Sequence, residues 1–196
     1  MTLSATDLAA VTAQLGRQPR GARVVAHRCP CSLPDVIETA PRLPDGSPFP
    51  TLFYLTCVRA CAAASRLEAS GLMREMTARL RGDPKLREAY LAAHRDYAAR
   101  RAAAAAAAGV PPLRPDAATA GGMPDRVKCL HALVAHELAA PGANPLGREA
   151  VAAMAEWWAA GPCVELPGDA VAEELWLHLA RSGWLRSTAG RIRCGC

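Results

Sequence analysis

The chain has 196 residues, of which 51% are hydrophobic and 21% are charged. This is the composition of a globular protein and excludes a chain that is disordered throughout. The net charge is +5, and the basic residues are nearly all arginine, so we expect nucleic acid not to be a partner. No signal-peptide pattern or long apolar run is present, which predicts a cytoplasmic protein without a membrane span.

The N-terminal third predicts a helix followed by a small sheet. Apolar residues repeat at helical spacing over residues 5–15. Three β-branched or alternating stretches follow at 21–29, 37–43 and 49–57, and they are separated by proline- and glycine-rich turns. We therefore predict a three-stranded antiparallel sheet over residues 22–57.

The rest of the chain predicts helices. After residue 58 an apolar stripe leads to Gly82, and Asp83 followed by Pro84 indicates the start of the next helix. That helix is expected to fray in the alanine run and lead into a linker at 110–122. Further helices are predicted at 121–139, 146–159 and 169–182, followed by a short ribbon at 184–194. The predicted fold class is α+β, with the sheet first, a helical layer after it, and a C-terminal helix-plus-ribbon extension.

Eight cysteines are present, and in a reducing compartment they are more often metal ligands, reactive thiols or core residues than disulfides. Cys29 and Cys31 flank a proline, a spacing compatible with a metal clamp, half of a redox pair or a stiff turn. Cys57 and Cys61 are one helical turn apart and can face the same way. The sequence alone does not assign roles to Cys31 and Cys61, nor to Cys194 and Cys196.

The predicted helix at 121–139 contains further candidates. Its period places Cys129 and His136 on nearly one face. His131 lies on another face and joins Cys129 only if the helix starts later than predicted. Two glycines precede Arg126 and Lys128, an arrangement that can hold an anion at a helix N-terminus; Pro124 as an ordinary helix start explains the pattern equally well.

Several stretches resemble a known family. QLGRQPRG at 14–21, the segment RCPCSLPDVIETAPRLPDGSPFPTLFYLTC at 28–57, SRLEASGLMREMT at 65–77 and GGMPDRVKCLHALVAH at 121–136 are similar to the bacterial "domain of unknown function 501" family, especially its actinobacterial members. The resemblance covers about residues 8–165, which implies a family domain at 1–165 and an extension at 166–196.

The family has no established activity that the resemblance could transfer. Its genes often lie near those of phosphate-metabolism and cell-division proteins, which implies possible partners of those kinds. In the family pattern, cysteines recur at the positions of Cys29, Cys57, Cys129 and Cys163, as does the histidine at His131.

We therefore expect a cysteine-rich site that binds zinc or an iron–sulfur cluster. Its predicted ligands are Cys29, Cys57, Cys129 and Cys163, with His131 or His136 able to replace one cysteine. Two alternatives remain open. One is a thiol-dependent enzyme that uses a Cys/His pair, and the other is a metal-free adaptor that binds a cell-division or polyphosphate-metabolism partner. The sequence predicts no catalytic residue.

Overall fold

The computed structural model describes residues 3–114 and 119–166 of the chain. The elements in these ranges are, in chain order, α1 (Ala5–Leu15), β1 (Ala22–Arg28), β2 (Pro34–Thr39), β3 (Phe53–Leu55), α2 (Val58–Ala69), α3 (Leu72–Gly82), α4 (Pro84–Ala108), a 3-10 turn (Ala120–Gly122), α5 (Leu130–Ala139) and α6 (Pro145–Ala153). The sheet comes first and the helical layer follows, so the predicted α+β class is confirmed.

The sheet is antiparallel with the strand order β1-β2-β3. The turn between β1 and β2 occupies residues 29–33, where Ser32 has a φ of 71°. The N–H of Ser32 donates to the carbonyl of Cys29 at 2.8 Å, and the N–H of Cys29 donates to the carbonyl of Leu33 at 3.0 Å. The Arg-Cys-Pro-Cys stretch is therefore part of a tight hairpin turn. Because this turn is short, β2 begins at Pro34 and not at the predicted residue 37.

The two faces of the sheet are covered by different elements. Val36, Phe53 and Leu55 belong to the main core, which the helical layer completes. Successive residues of a strand point to opposite faces, so Ile37 and its register partner Tyr54 lie on the other face. There α1 packs on β2, and the Gln14 side-chain amide donates to the carbonyl of Pro34 at 2.7 Å.

Helix α4 begins as predicted and extends further than predicted. Asp83 accepts a hydrogen bond from the N–H of Leu86 at 3.0 Å, and Pro84 is the first helical residue. The alanine run does not fray, because it remains helical to Ala108 and buries Ala104 and Ala105. The run thus contributes to the core of the described structure.

The structure moves the predicted boundaries of the helices between residues 58 and 139. The apolar stripe after residue 58 belongs to two helices, because Gly71 has a φ of 93° and separates α2 from α3. Helix α5 starts at Leu130 and not at 121. Gly121 and Gly122 both have positive φ, and the N–H of Lys128 donates to the carbonyl of Gly121 at 2.7 Å, which closes a loop before the helix.

Helix α5 is central in the described fold, since it packs against α2, α6 and β3. Its contact with α6 is unusually close. A Cβ built on Gly147 would lie 2.3 Å from the carbonyl oxygen of Leu133. The two helix backbones therefore meet without an intervening side chain. Helix α6 ends at Ala153, earlier than the predicted 159, and a turn at 157–160 follows.

Some predictions fall outside the described residues. They concern the helix at 169–182, the ribbon at 184–194, and Cys194 and Cys196 within or after it. Among the helices that the structure describes, none combines the length and apolar character needed to cross a membrane.

Candidate metal centre

The late start of α5 decides which histidine meets Cys129. Cys129 is the N-cap of α5 and has extended backbone, with φ −155° and ψ 115°. Its Sγ lies 3.8 Å from the Nδ1 of His131. The prediction that Cys129 and His136 share a helical face is wrong, because Cys129 precedes the helix. The stated condition for His131 to join Cys129, a later helix start, is met.

A carboxylate from α2 completes this group. Oε1 of Glu68 lies 3.1 Å from Nδ1 of His131. One ligand atom from each of Glu68, Cys129 and His131 lies within 4.8 Å of the other two, and all three residues are half-buried. We call these three residues the Cys–His–Glu cluster. Within residues 3–114 and 119–166, no other group of three or more potential metal ligands comes together this closely.

Neighbouring groups orient the cluster. The N–H of Leu130, the first residue of α5, donates to Oε1 of Glu68 at 2.6 Å. The hydroxyl of Ser65 lies 3.3 Å from Nε2 of His131. Hydrogen bonding to Cys129, followed by Glu68, raises the pKa of His131 to about 9. Both ring nitrogens of His131 therefore lie near polar partners, Ser65 at Nε2 and Cys129 with Glu68 at Nδ1.

Sequence reasoning missed Glu68, although a signal for it was present. Cys61, Ser65 and Glu68 are spaced by four and then three residues, so they lie on one face of α2. Cys61 is close enough to Cys129 and to Cys163 for each to affect its pKa, which burial mainly raises to about 11. A helix face that combines a thiol, a hydroxyl and a carboxylate predicts a polar contact. The pattern does not identify α5 as the contacting helix, because that depends on tertiary packing.

The three other predicted cysteine ligands lie at two places, since Cys57 neighbours Cys163 and Cys29 neighbours Cys31. Cys57 is buried, and burial raises its pKa to about 12, with the neighbouring thiol of Cys163 adding to the shift. The Cys163 Sγ accepts a hydrogen bond from the Gln14 side-chain amide at 3.2 Å. Cys29 is buried beside Cys31 in the hairpin turn, and burial raises its pKa to about 11. The four predicted cysteines therefore do not form one compact ligand group in the described structure.

His136 lies in the core, where it packs between aromatic rings and polar side chains. Its Nε2 is 3.0 Å from Oδ2 of Asp96, and its Nδ1 is 3.4 Å from the amide nitrogen of Asn144. The ring stacks on Phe53 with a centroid distance of 6.0 Å and meets Tyr97 edge-on at 5.1 Å. Burial lowers the pKa of His136, against the opposing effect of Asp96. His136 is a structural residue of the core here.

The helix-based argument for an anion site at Arg126 and Lys128 does not hold, because both residues precede α5. The N–H of Arg126 donates to the carbonyl of Gly122 at 3.2 Å, and that of Val127 donates to the Thr77 hydroxyl at 3.1 Å. The backbone donors that the hypothesis needs are therefore used within the fold. Anion binding by the two side chains stays a prediction.

The fold defines an α+β protein in which the start of α5 meets one face of α2. The chain matches the family model "Protein of unknown function (DUF501)" over residues 25–152 and belongs to this family. The matched region contains all three residues of the Cys–His–Glu cluster. No curated protein and no solved structure matches the chain.

Proposed function

We propose that the protein binds a zinc ion through Glu68, Cys129 and His131. The observation that carries the proposal is the spacing of the three ligand atoms. Ligands placed about 2.0–2.3 Å from a tetrahedral zinc ion lie roughly 3.3–3.8 Å from one another. The Sγ–Nδ1 distance is 3.8 Å and the Nδ1–Oε1 distance is 3.1 Å. Small side-chain adjustments bring the three atoms to bonding distance of one ion.

The donor set favours zinc over an iron–sulfur cluster. One thiolate, one imidazole and one carboxylate suit zinc, whereas iron–sulfur clusters are held mainly by cysteine thiolates. Three protein ligands also leave one coordination position for water, as in catalytic zinc sites. Cys61 is the nearby thiol that would fill this position in a closed, structural site.

The geometry disfavours the alternative of a thiol-dependent enzyme at this cluster. A Cys–His–acid relay needs the thiol at one ring nitrogen and the carboxylate at the other. Here Cys129 and Glu68 both approach Nδ1, while Nε2 faces Ser65. Three donor atoms directed at a common point fit a metal ion, and a single nitrogen cannot accept a proton from the thiol while donating one to the carboxylate.

The neighbours of the cluster supply the support that metal ligands need. Residues that hydrogen-bond to ligands fix their orientation and tune their basicity. Leu130 does this for Glu68, and Ser65 does it for His131. The six cysteines of the described residues are free thiols, which agrees with a protein of a reducing compartment such as the cytoplasm.

The test is zinc and cobalt binding by the purified full-length chain. We expect one zinc per chain, and cobalt substitution should give the near-ultraviolet charge-transfer band of a thiolate ligand. Cys129→Ser should remove that band, and His131→Ala and Glu68→Gln should weaken binding by at least about tenfold. Matched controls are Cys31→Ser and His94→Gln, which change the same residue types away from the cluster.

Two results would decide against the proposal. Wild-type protein that takes up no stoichiometric zinc would mean that Glu68 serves only as the cap of α5. Full zinc binding by Cys129→Ser would show that other residues provide the zinc ligands. Cys29→Ser and Cys57→Ser separate the cluster from the wider four-cysteine hypothesis, because they retain zinc only if the cluster is the site.

A further inference from the structure

A cavity lies on the face of the sheet that contains Ile37 and Tyr54. This face is opposite the helical layer, to which the Cys–His–Glu cluster belongs. Helix α1 has 11 residues and covers only part of the face that contains Ile37 and Tyr54. Beyond its last residue, Leu15, the cavity opens with a volume of about 320 Å³. This is the size of a site for a small organic ligand, since such pockets have volumes of roughly 300–1,000 Å³.

The lining of the cavity combines apolar and aromatic residues with two arginines and a threonine. Ile37, Phe49 and Tyr54 are the apolar and aromatic lining residues that the sheet and the segment before β3 contribute. Tyr54 and Phe49 are only partly buried, so their surfaces remain accessible from the cavity. Aromatic walls offer stacking and edge contacts to a planar ring.

Two arginines give the cavity its charge. Arg17 and Arg20 line it, and its lining contains no acidic residue. Both arginines come from QLGRQPRG, a stretch that the metal site does not use. Arg17 donates to the neighbouring carbonyl of Gln18 at 3.3 Å. Arg20 acts on Asp45 at longer range, while hydrogen bonds from Ser47 are the main cause of the lowered pKa of Asp45.

The loop that carries the arginines is tied to the sheet at one end. Gly16 and Gly21 have φ of 63° and 64°, values that a residue with a side chain rarely adopts. The N–H of Ala40 donates to the carbonyl of Gly21 at 2.7 Å, which ties the loop to the end of β2. Pro19, between the arginines, is buried. The two guanidinium groups are therefore presented from a fixed backbone.

We propose that this cavity binds a small organic anion in which a planar ring carries a phosphate or carboxylate group. The guanidinium forks of Arg17 and Arg20 pair with the acidic group, because arginine matches the geometry of both phosphate and carboxylate oxygens. The ring lies between Phe49 and Tyr54 over Ile37. This site is separate from the zinc site and does not depend on it.

The test is calorimetric titration of the full-length chain with phenyl phosphate and with benzoate. We expect saturable binding of at least one, at least about tenfold tighter than that of inorganic phosphate or phenol alone, because the site joins charge pairing to ring burial. The stronger of the two anions identifies the preferred acidic group. Arg17→Ala with Arg20→Ala should lose at least about tenfold in affinity.

A matched double variant controls for general loss of positive charge. Arg81 and Arg87 are exposed arginines that line a different surface groove, so Arg81→Ala with Arg87→Ala should change affinity less than twofold. Tyr54→Leu should reduce the advantage of the ring-bearing anions over inorganic phosphate. Absence of saturable binding by both anions, or equal losses in the two double-arginine variants, would overturn the proposal.

Discussion

Helix α5 carries two histidines whose surroundings are opposite in kind. His136 is fully buried, and each of its nitrogens faces one polar side chain inside an aromatic cage. His131 is half-buried, and its Nδ1 faces both a thiol and a carboxylate. The comparison shows that the number of donor groups at one ring nitrogen separates a packed histidine from a potential ligand.

The largest expected effect is the loss of His136. His136→Ala removes two hydrogen bonds and leaves a cavity between Phe53 and Tyr97, so it should cost about 3–5 kcal/mol of folding free energy. Urea denaturation of the metal-free protein measures this cost. His131→Ala is the matched control and should cost clearly less. Equal costs would mean that the two histidines do not differ in structural role.

Zinc should produce the next effect, and only when the ligands of the Cys–His–Glu cluster are intact. If zinc is present at about a hundred times its dissociation constant, the folded wild type gains roughly 2.7 kcal/mol of stability. His131→Ala and Cys129→Ser should gain little. Thermal melting with zinc and after chelation shows the difference. Stabilisation of His131→Ala as large as that of the wild type would reject the assignment.

A smaller effect is the pH dependence that His136 imposes. Burial places the pKa of His136 below that of the unfolded chain, which is about 6.5. As the pH falls through that value, the unfolded chain takes up a proton that the folded protein does not, so stability decreases. His136→Gln should show a shallower loss of stability below pH ~6.5 than the wild type.

Denaturation series in metal-free buffer test this pH dependence. Burial also lowers the pKa of His94, so His94→Gln should make the loss of stability below pH ~6.5 shallower as well. Asp96 acts in a lower pH range, because its pKa is lowered from an already acidic value. An unchanged slope in His136→Gln would contradict the expectation.

The smallest expected effect is that of Glu68→Gln on the metal-free protein. The amide oxygen can still accept the hydrogen bond from the N–H of Leu130, so the folding free energy should change by less than about 1 kcal/mol. Zinc binding should nevertheless weaken. A large loss of stability in metal-free Glu68→Gln would show that the carboxylate mainly caps α5.

Local signals in the sequence predicted a large part of the fold. The cap at Asp83 and Pro84 located the start of α4, and the alternating stretches located the three strands. Gly71 was missed because a single glycine within a helical pattern does not reveal its φ. A helix was predicted from 121, with Pro124 as an ordinary helix-start signal, yet the paired positive φ values of Gly121 and Gly122 place a loop there.

Local signals likewise predicted only part of the candidate site. Cys129 and His131 were named from the family pattern, and their pairing followed from one helix boundary that the sequence left uncertain. Glu68 comes from α2, about sixty residues earlier, and its contact depends on how α2 packs against α5. Packing between distant elements is not encoded in any single stretch, so spacing alone could not add the third ligand.

The contact at Gly147 has a consequence for how much the sequence can vary. Most positions on α6 can exchange one side chain for another of similar size, since their neighbours adjust. At position 147 a methyl group would overlap the carbonyl of Leu133. A library that places all amino acids at position 147 should therefore return folded protein with glycine alone, so mutation at this position cannot gradually tune the separation of α5 from α6.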